Sequence, residues 1–286
     1  MISQEEGSHG EARKRDNLTM NENTMSLCPL RDCRSQLMGV ATVAIAVLHY
    51  YQLLGIPFEG AAGSAVMYFT EMGNTGVDIF LFLSGIGMYY SLSKNGNARE
   101  FYKRRLIRIL PEYILILGLC AVIMPHFMQG YSVTDCLLLL CGAKFWIRGD
   151  LTDWYISLIY ALYLLYPLLH MIIKKSVKAA LCSAGIMAAL LVTVSLVFYD
   201  GGLPRGIALA RIPVFILGAV TGRLIKDDVK VSKRAVLILG LVSFLGADII
   251  AVFAPGGRPD RYFTGFFYII GVLDHIGLQF NTENSN

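Results

Sequence analysis

Two kinds of charge stand where apolar sequence would be expected, and both could do chemistry. His49 lies about a dozen residues into the first long apolar run, roughly 18 Å from its start at about 1.5 Å per helical residue, near the middle of a bilayer. An ionisable group at that depth is costly and a functional candidate. A neutral imidazole can take the proton from a hydroxyl or carry an acyl group transiently. The plain alternative is a neutral histidine hydrogen-bonded to a neighbouring helix. Asp78 opens the second run in Gly76-Val-Asp-Ile-Phe-Leu-Phe-Leu-Ser-Gly85. An ionised carboxylate there needs a partner, and a histidine on an adjacent helix would serve while fixing its own tautomer; an interfacial aspartate is the alternative. Ser84, Gly85 and Gly87 are read first as small residues for close helix packing.

The densest cluster is Phe101-Tyr-Lys-Arg-Arg-Leu-Ile-Arg-Ile-Leu-Pro111. Arg104 and Arg108 are one helical turn apart, with Lys103 and Arg105 beside them, and like charges at that spacing repel. Lipid head groups would relieve the repulsion, and Glu112 could pair with Arg108 at four residues. A phosphate-bearing cytosolic cofactor is the sharper reading, because arginine forks match phosphate oxygens in a bidentate way. Trp154-Tyr155 opens the fourth run and Arg211 lies near the outer end of the sixth, close to its start. They read as interfacial anchors, or as the lining of an outward cavity for a polar acceptor, where Trp154 and Arg211 would bind substrate.

The elements that must position these residues follow from composition. Of 286 residues, 55% are apolar and 16% charged, with mean hydropathy +0.54; a soluble domain carries roughly a quarter charged residues. The fold class is all-α: a polytopic transmembrane helix bundle. Apolar runs at 37–56, 74–93, 108–125, 152–173, 179–198, 207–225, 235–254 and 262–280 predict about eight spans, each near the ~20 residues a bilayer requires. The stretch Thr134–Lys144 is too short to cross and predicts one re-entrant or interfacial helix. With that segment uncrossed, 19 of the 25 lysines and arginines fall on the side of the N-terminal tail, against 17 if it crosses. The positive-inside rule therefore predicts both termini cytoplasmic in a multi-pass cell-membrane protein. Residues 1–36 read as a disordered cytoplasmic tail, 37–280 as the membrane domain and 281–286 as a polar tail.

The net charge of +4 is read as loop charge that reports topology, with membrane lipids as partners and no nucleic acid. Cysteines at 28, 33, 120, 136, 141 and 182 have none of the spacings that hold zinc or a cluster, so no metal is expected.

Taken in order, these blocks resemble the integral-membrane acyltransferase family 3, bacterial enzymes that O-acylate surface polysaccharides and related glycans. The match runs from Met38-Gly39 through His49, Gly76–Gly85 and Phe101–Pro111 to Trp154-Tyr155 with Tyr166-Pro167 and Arg211–Gly218. The resemblance implies an acyl donor such as acetyl-CoA bound from the cytoplasm and an acceptor hydroxyl on a glycan or lipid-linked sugar. It also implies that the membrane histidine, here His49, and the arginine loop are essential. Arg104, Arg105 and Arg108 would then hold the CoA phosphates, with Lys103 as an auxiliary, while His49 acts as base or acyl carrier and Asp78 orients it. Where the family usually has an arginine eleven positions before the histidine, this chain has Met38; Arg34, one turn earlier, would substitute only if the helix extends that far. Family members usually end with further spans, which implies that C-terminal spans are missing here. The rival readings are an inactive remnant of the family and a small-glycan transporter, although the inverted repeats a transporter predicts are not evident.

Overall fold

The computed structural model describes residues 23–54, 72–123, 130–183, 206–209 and 211–234, with isolated positions at 60, 63, 66, 70 and 186. Its elements are β1 (Thr24–Met25), α1 (Cys28–Asp32), α2 (Arg34–Leu54), α3 (Thr75–Asn95), α4 (Ala98–Ile123), α5 (Val133–Leu140), α6 (Lys144–Arg148), α7 (Trp154–Lys175), α8 (Gly206–Leu209), α9 (Ile212–Lys226) and β2 (Val231–Ser232). Among the described residues, four helices are long and apolar enough to cross a membrane: α2, α3, α4 and α7, the last with the turn before it. They match the first four expected spans. Most of the fifth, and all of the seventh and eighth, lie outside the described residues.

Three expectations change. The third span begins at Ala98 rather than 108, so the arginine cluster is no loop but the first turns of a helix. The connection from α3 is only Gly96-Asn97: Gly96 adopts φ +62°, which glycine does without strain, and the Asn97 side chain accepts from the Arg99 amide at 2.9 Å. Asparagine at this position starts a helix regardless of the hydropathy that follows. The sixth run is divided, with α8 ending before Arg211 and α9 starting at Ile212. Pro213 favours this start, since a proline lacks the N–H that the first turn would leave unpaired anyway. Finally, residues 23–36, read as part of a disordered tail, are ordered: β1 pairs antiparallel with β2, Thr24 opposite Ser232, and α1 follows. The short Thr134–Lys144 segment corresponds to α5 and α6, of 8 and 5 residues, neither long enough to span.

The chain forms two compact units, residues 1–80 with 224–286, and residues 81–223. In the first, α2 packs on the turn at Met72–Asn74 and the start of α3. A Cβ on Gly76 would lie 2.7 Å from the Ala41 carbonyl oxygen, and one on Gly73 would strike that of Ala44.

In the second unit α3 and α9 approach backbone to backbone. A Cβ on Gly218 would strike the Phe82 carbonyl, one on Gly85 the Phe215 carbonyl, and one on Gly222 would come within 2.9 Å of Tyr89. Small residues allow this approach where lipid removes the usual hydrophobic incentive for helices to associate. The contact carries Phe215 edge-on to Tyr166, centroids 5.9 Å apart, and Tyr166 stacks on Phe101 of α4 at 5.7 Å. Phe215, Tyr166 and Phe101 are each fully buried. His170, one turn beyond Tyr166 on α7, lies 5.0 Å from the Tyr89 ring. Arg223 of α9 donates to the Ile173 carbonyl of α7.

Gly218→Val forces a branched side chain into the α3 backbone and should destabilise by about 1–3 kcal/mol. Gly118→Ala, where among the described residues nothing lies within 4 Å, should be neutral or stabilise by up to about 1 kcal/mol. Unfolding midpoints of the purified variants in detergent check both; equal midpoints would refute the glycine contact.

Candidate functional site

The arginine cluster occupies one end of the second unit. At about 100° per residue, Arg104 and Arg108 share one side of α4, and both are exposed. Arg105 points elsewhere. It is half-buried against α7, its guanidinium carbon 5.6 Å from the Phe101 ring centroid and 5.5 Å from that of Tyr163. A guanidinium between two aromatic faces is held by cation–π attraction, so Arg105 fastens α4 to α7 and is not on the face that a phosphate would meet at Arg104 and Arg108. Lys103, expected as an auxiliary, is exposed and lines a groove on the other side of the helix. The ion pairs among the described residues are Arg31–Asp32, Lys144–Asp150 and Arg148–Asp135; the pair considered between Arg108 and Glu112 is not one of them. Pro111 sits inside α4 with no N–H to give the Ile107 carbonyl one turn back.

His49 and Asp78 both belong to the first unit. His49 is the sixteenth residue of α2, so roughly 22 Å of helix separates it from Arg34, somewhat further than the apolar run alone suggests. Its side chain is exposed, and Nδ1 lies 3.3 Å from the Gln52 amide oxygen. Gln52, one turn further along the same helix, is hydrogen-bonded to the ring. Asp78 is buried in the first turn of α3, where the free amide ends of the helix favour a negative charge. The helix does reach Arg34, which therefore stands one turn before Met38 on the same face.

At the other end of α7, Arg211 and Trp154 come together. Arg211 is wholly buried, with its guanidinium carbon 5.0 Å from the Trp154 ring centroid. Of the two readings of this pair, snorkelling anchor or cavity lining, burial disfavours the first for Arg211, since snorkelling puts the charge in water.

Beside Trp154 lies a polar cap that single-residue reading missed. Ser132 caps α5 and exchanges hydrogen bonds with Asp135, which also takes Arg148. Lys144 pairs with Asp150 and lies over the Tyr131 ring, 3.3 Å from its centroid. Ser157 donates to the buried Asp153 at 2.8 Å, and Trp146 donates to the Ser157 carbonyl at 3.2 Å. Gly142, at φ +65°, brings the α5–α6 turn against Tyr160. The visible signal was Ser132-x-x-Asp135, a helix-start pattern. Burial by itself raises the Asp150 carboxyl, but hydrogen bonds from Lys144 and from the Thr152 hydroxyl and amide outweigh it and hold it at about 2. Desolvation likewise lowers the Lys144 ammonium, and its bonds to Asp150 and Tyr131 reverse the shift upward.

The family model described as an acyltransferase domain, family 3, matches residues 37–282. The chain belongs to that family. The match spans both the His49 unit and the arginine unit. An acyltransferase of Streptomyces mycarofaciens, MdmB, is 30% identical over 143 residues, a stretch covering 45% of this chain and 37% of that protein. No solved structure matches. In this acyltransferase-3 protein, then, Arg104, Arg105, Arg108 and His49 lie on helices long enough to span a membrane.

The cap makes its own prediction. Asp150→Asn leaves Lys144, whose side chain is 4% exposed, buried without its carboxylate, which should cost about 1–3 kcal/mol; adding Lys144→Met should recover part of it. A carboxyl depressed in the folded state stabilises above its unfolded value, about 3.9, and that stability is lost as pH falls through about 2. Hydrogen-exchange protection across residues 131–157, corrected for the intrinsic rate at each pH, should fall over this interval, and unchanged protection from pH 7 to pH 2 would remove the pair's role.

Proposed function

We propose that this chain is a membrane-embedded O-acyltransferase. It moves an acyl group, acetyl in the simplest case, from acyl-CoA on the cytoplasmic side to a hydroxyl of a surface polysaccharide or lipid-linked glycan. The single observation that carries the reading is the exposed pair Arg104 and Arg108 on one side of a membrane-length helix, in a chain of the acyltransferase-3 family. Two guanidinium forks one turn apart repel each other and attract a polyphosphate. The protein lies in the cell (inner) membrane with both termini cytoplasmic, which places these arginines at the cytoplasmic mouth.

His49 serves as general base or as transient acyl carrier. As base, it takes the proton from the acceptor hydroxyl as the oxygen attacks the thioester carbonyl; the carbon–sulfur bond breaks, an ester forms, and the proton passes to the departing CoA thiolate. The contact with Gln52 holds the ring so that one nitrogen faces the reaction. Asp78, buried in the first turn of α3, provides fixed negative charge in the same unit. Trp154 and Arg211 offer an aromatic face and a buried cation to the acceptor.

His49→Ala in folded, membrane-inserted protein should lower transfer by about 10²–10⁴-fold, the usual contribution of a general base; undiminished turnover would end this role for His49. Saturable acyl-CoA binding to the purified chain should weaken by about tenfold or more in Arg104→Ala or Arg108→Ala, the loss expected for one charge-assisted contact. Arg105→Ala should instead lower the unfolding midpoint, because it removes the link between Phe101 and Tyr163. Equal loss of affinity in all three with no change in midpoint would return Arg105 to the phosphate site.

A further inference from the structure

Helix α4 carries cations on two sides, and the proposed donor accounts for only one. Opposite Arg104 and Arg108 runs a groove of about 260 Å³ between α4 and α7, lined by Tyr102, Lys103, Leu106, Ile109, Tyr163 and Leu164, with Tyr160 and the stacked Arg105 completing its wall. The Tyr102 hydroxyl donates to the Leu164 carbonyl at 2.8 Å and closes the helices together beneath it. Apart from Lys103 and Arg105 the lining is hydrocarbon or aromatic ring. Lys103 stands at the end where α4 begins, and the apolar positions Leu106 and Ile109 follow one and two turns further in. The apolar side chains nearby, Leu106, Leu164 and Leu168, are each more than half exposed.

We infer that this groove binds one anionic membrane phospholipid from the cytoplasmic leaflet. Its phosphate meets Lys103, and one acyl chain runs inward past Leu106 and Ile109 against Leu164 and Tyr163. The groove, of about 260 Å³ and open along one side, has room for a stretch of one hydrocarbon chain. The charge pattern decides the chemistry. A cation at the rim of an apolar trough, on the side of the membrane where basic residues collect, matches an anionic head group with a chain attached. Arg105 contributes by stacking: its charge, satisfied by Phe101 and Tyr163, keeps α4 and α7 apart at the width of the trough.

The test uses the full chain reconstituted in nanodiscs of equal phosphatidylglycerol and phosphatidylcholine, extracted gently and weighed by native mass spectrometry. Wild-type protein should retain phosphatidylglycerol about fivefold over phosphatidylcholine, the preference one basic residue confers at an anionic surface. Lys103→Gln should abolish the preference, and Leu106→Trp or Leu164→Trp, which fill the trough from opposite walls, should abolish retention. No head-group preference, or retention unaffected by filling, would overturn the inference. So would a loss of acyl-CoA binding on Leu106→Trp, which would identify the donor's acyl arm as the occupant. Because these variants could fail to fold, a second measurement uses wild-type protein alone. Phosphatidylglycerol with a diazirine in its acyl chain should crosslink to residues 102–109 and 160–164, and adducts confined elsewhere would reject the site. Lipid retention is read without donor, so it stands or falls separately from the acyltransferase reading.

Discussion

The approach of α3 and α9 at Gly85, Gly218 and Gly222 governs the unit that holds the arginines. In hydrocarbon, two apolar helices gain nothing from leaving solvent, so they associate only where their surfaces fit closely enough for dispersion and weak backbone contacts to accumulate. Three glycines whose missing Cβ atoms would each meet the opposing helix provide that fit. The consequences run outward from there. Phe215 reaches Tyr166, Tyr166 reaches Phe101, and Phe101 with Tyr163 holds Arg105. The orientation of α4, and therefore the direction in which Arg104 and Arg108 present their charge, descends from a contact made two helices away.

The same economy of polar groups explains the other end. Water is scarce around a buried lysine or aspartate, so each must find partners in the chain itself. Lys144 is enclosed by Asp150 and Tyr131, Asp135 by Ser132 and Arg148, and Asp153 takes the Ser157 hydroxyl. Two helices of 8 and 5 residues are too short to be stable alone; these bonds tie them to each other and to the following loop, and Trp146 ties α6 to the Ser157 carbonyl of α7. The cap thereby gives the Trp154–Arg211 pair a polar, hydrogen-bonded neighbour.

The geometry separates one basic cluster into three settings. Arg104 and Arg108 face outward together, Arg105 lies between the Phe101 and Tyr163 rings, and Lys103 lines an apolar trough. Four adjacent cations that read as one anion site are distributed around a helix whose 3.6-residue period separates neighbours by about 100°.

Much of the membrane architecture was legible in the residues themselves. Apolar length and low charge identify α2, α3, α4 and α7 as spans, because the thickness of a bilayer sets a length that composition either meets or does not. The family, too, was readable from the order of its blocks around His49, Asp78, Arg104 and Arg211. Hydropathy misplaced the start of α4 by ten residues because it marks where charges end, whereas Asn97 marks where hydrogen bonding begins. Which arginine is stacked and which is exposed, that Arg211 is buried on Trp154, and that His49 is bonded to Gln52 were decided only by tertiary structure. The first two depend on the rotation of one helix against another, which packing between residues distant in the chain sets, whereas the His49–Gln52 contact lies within one helix.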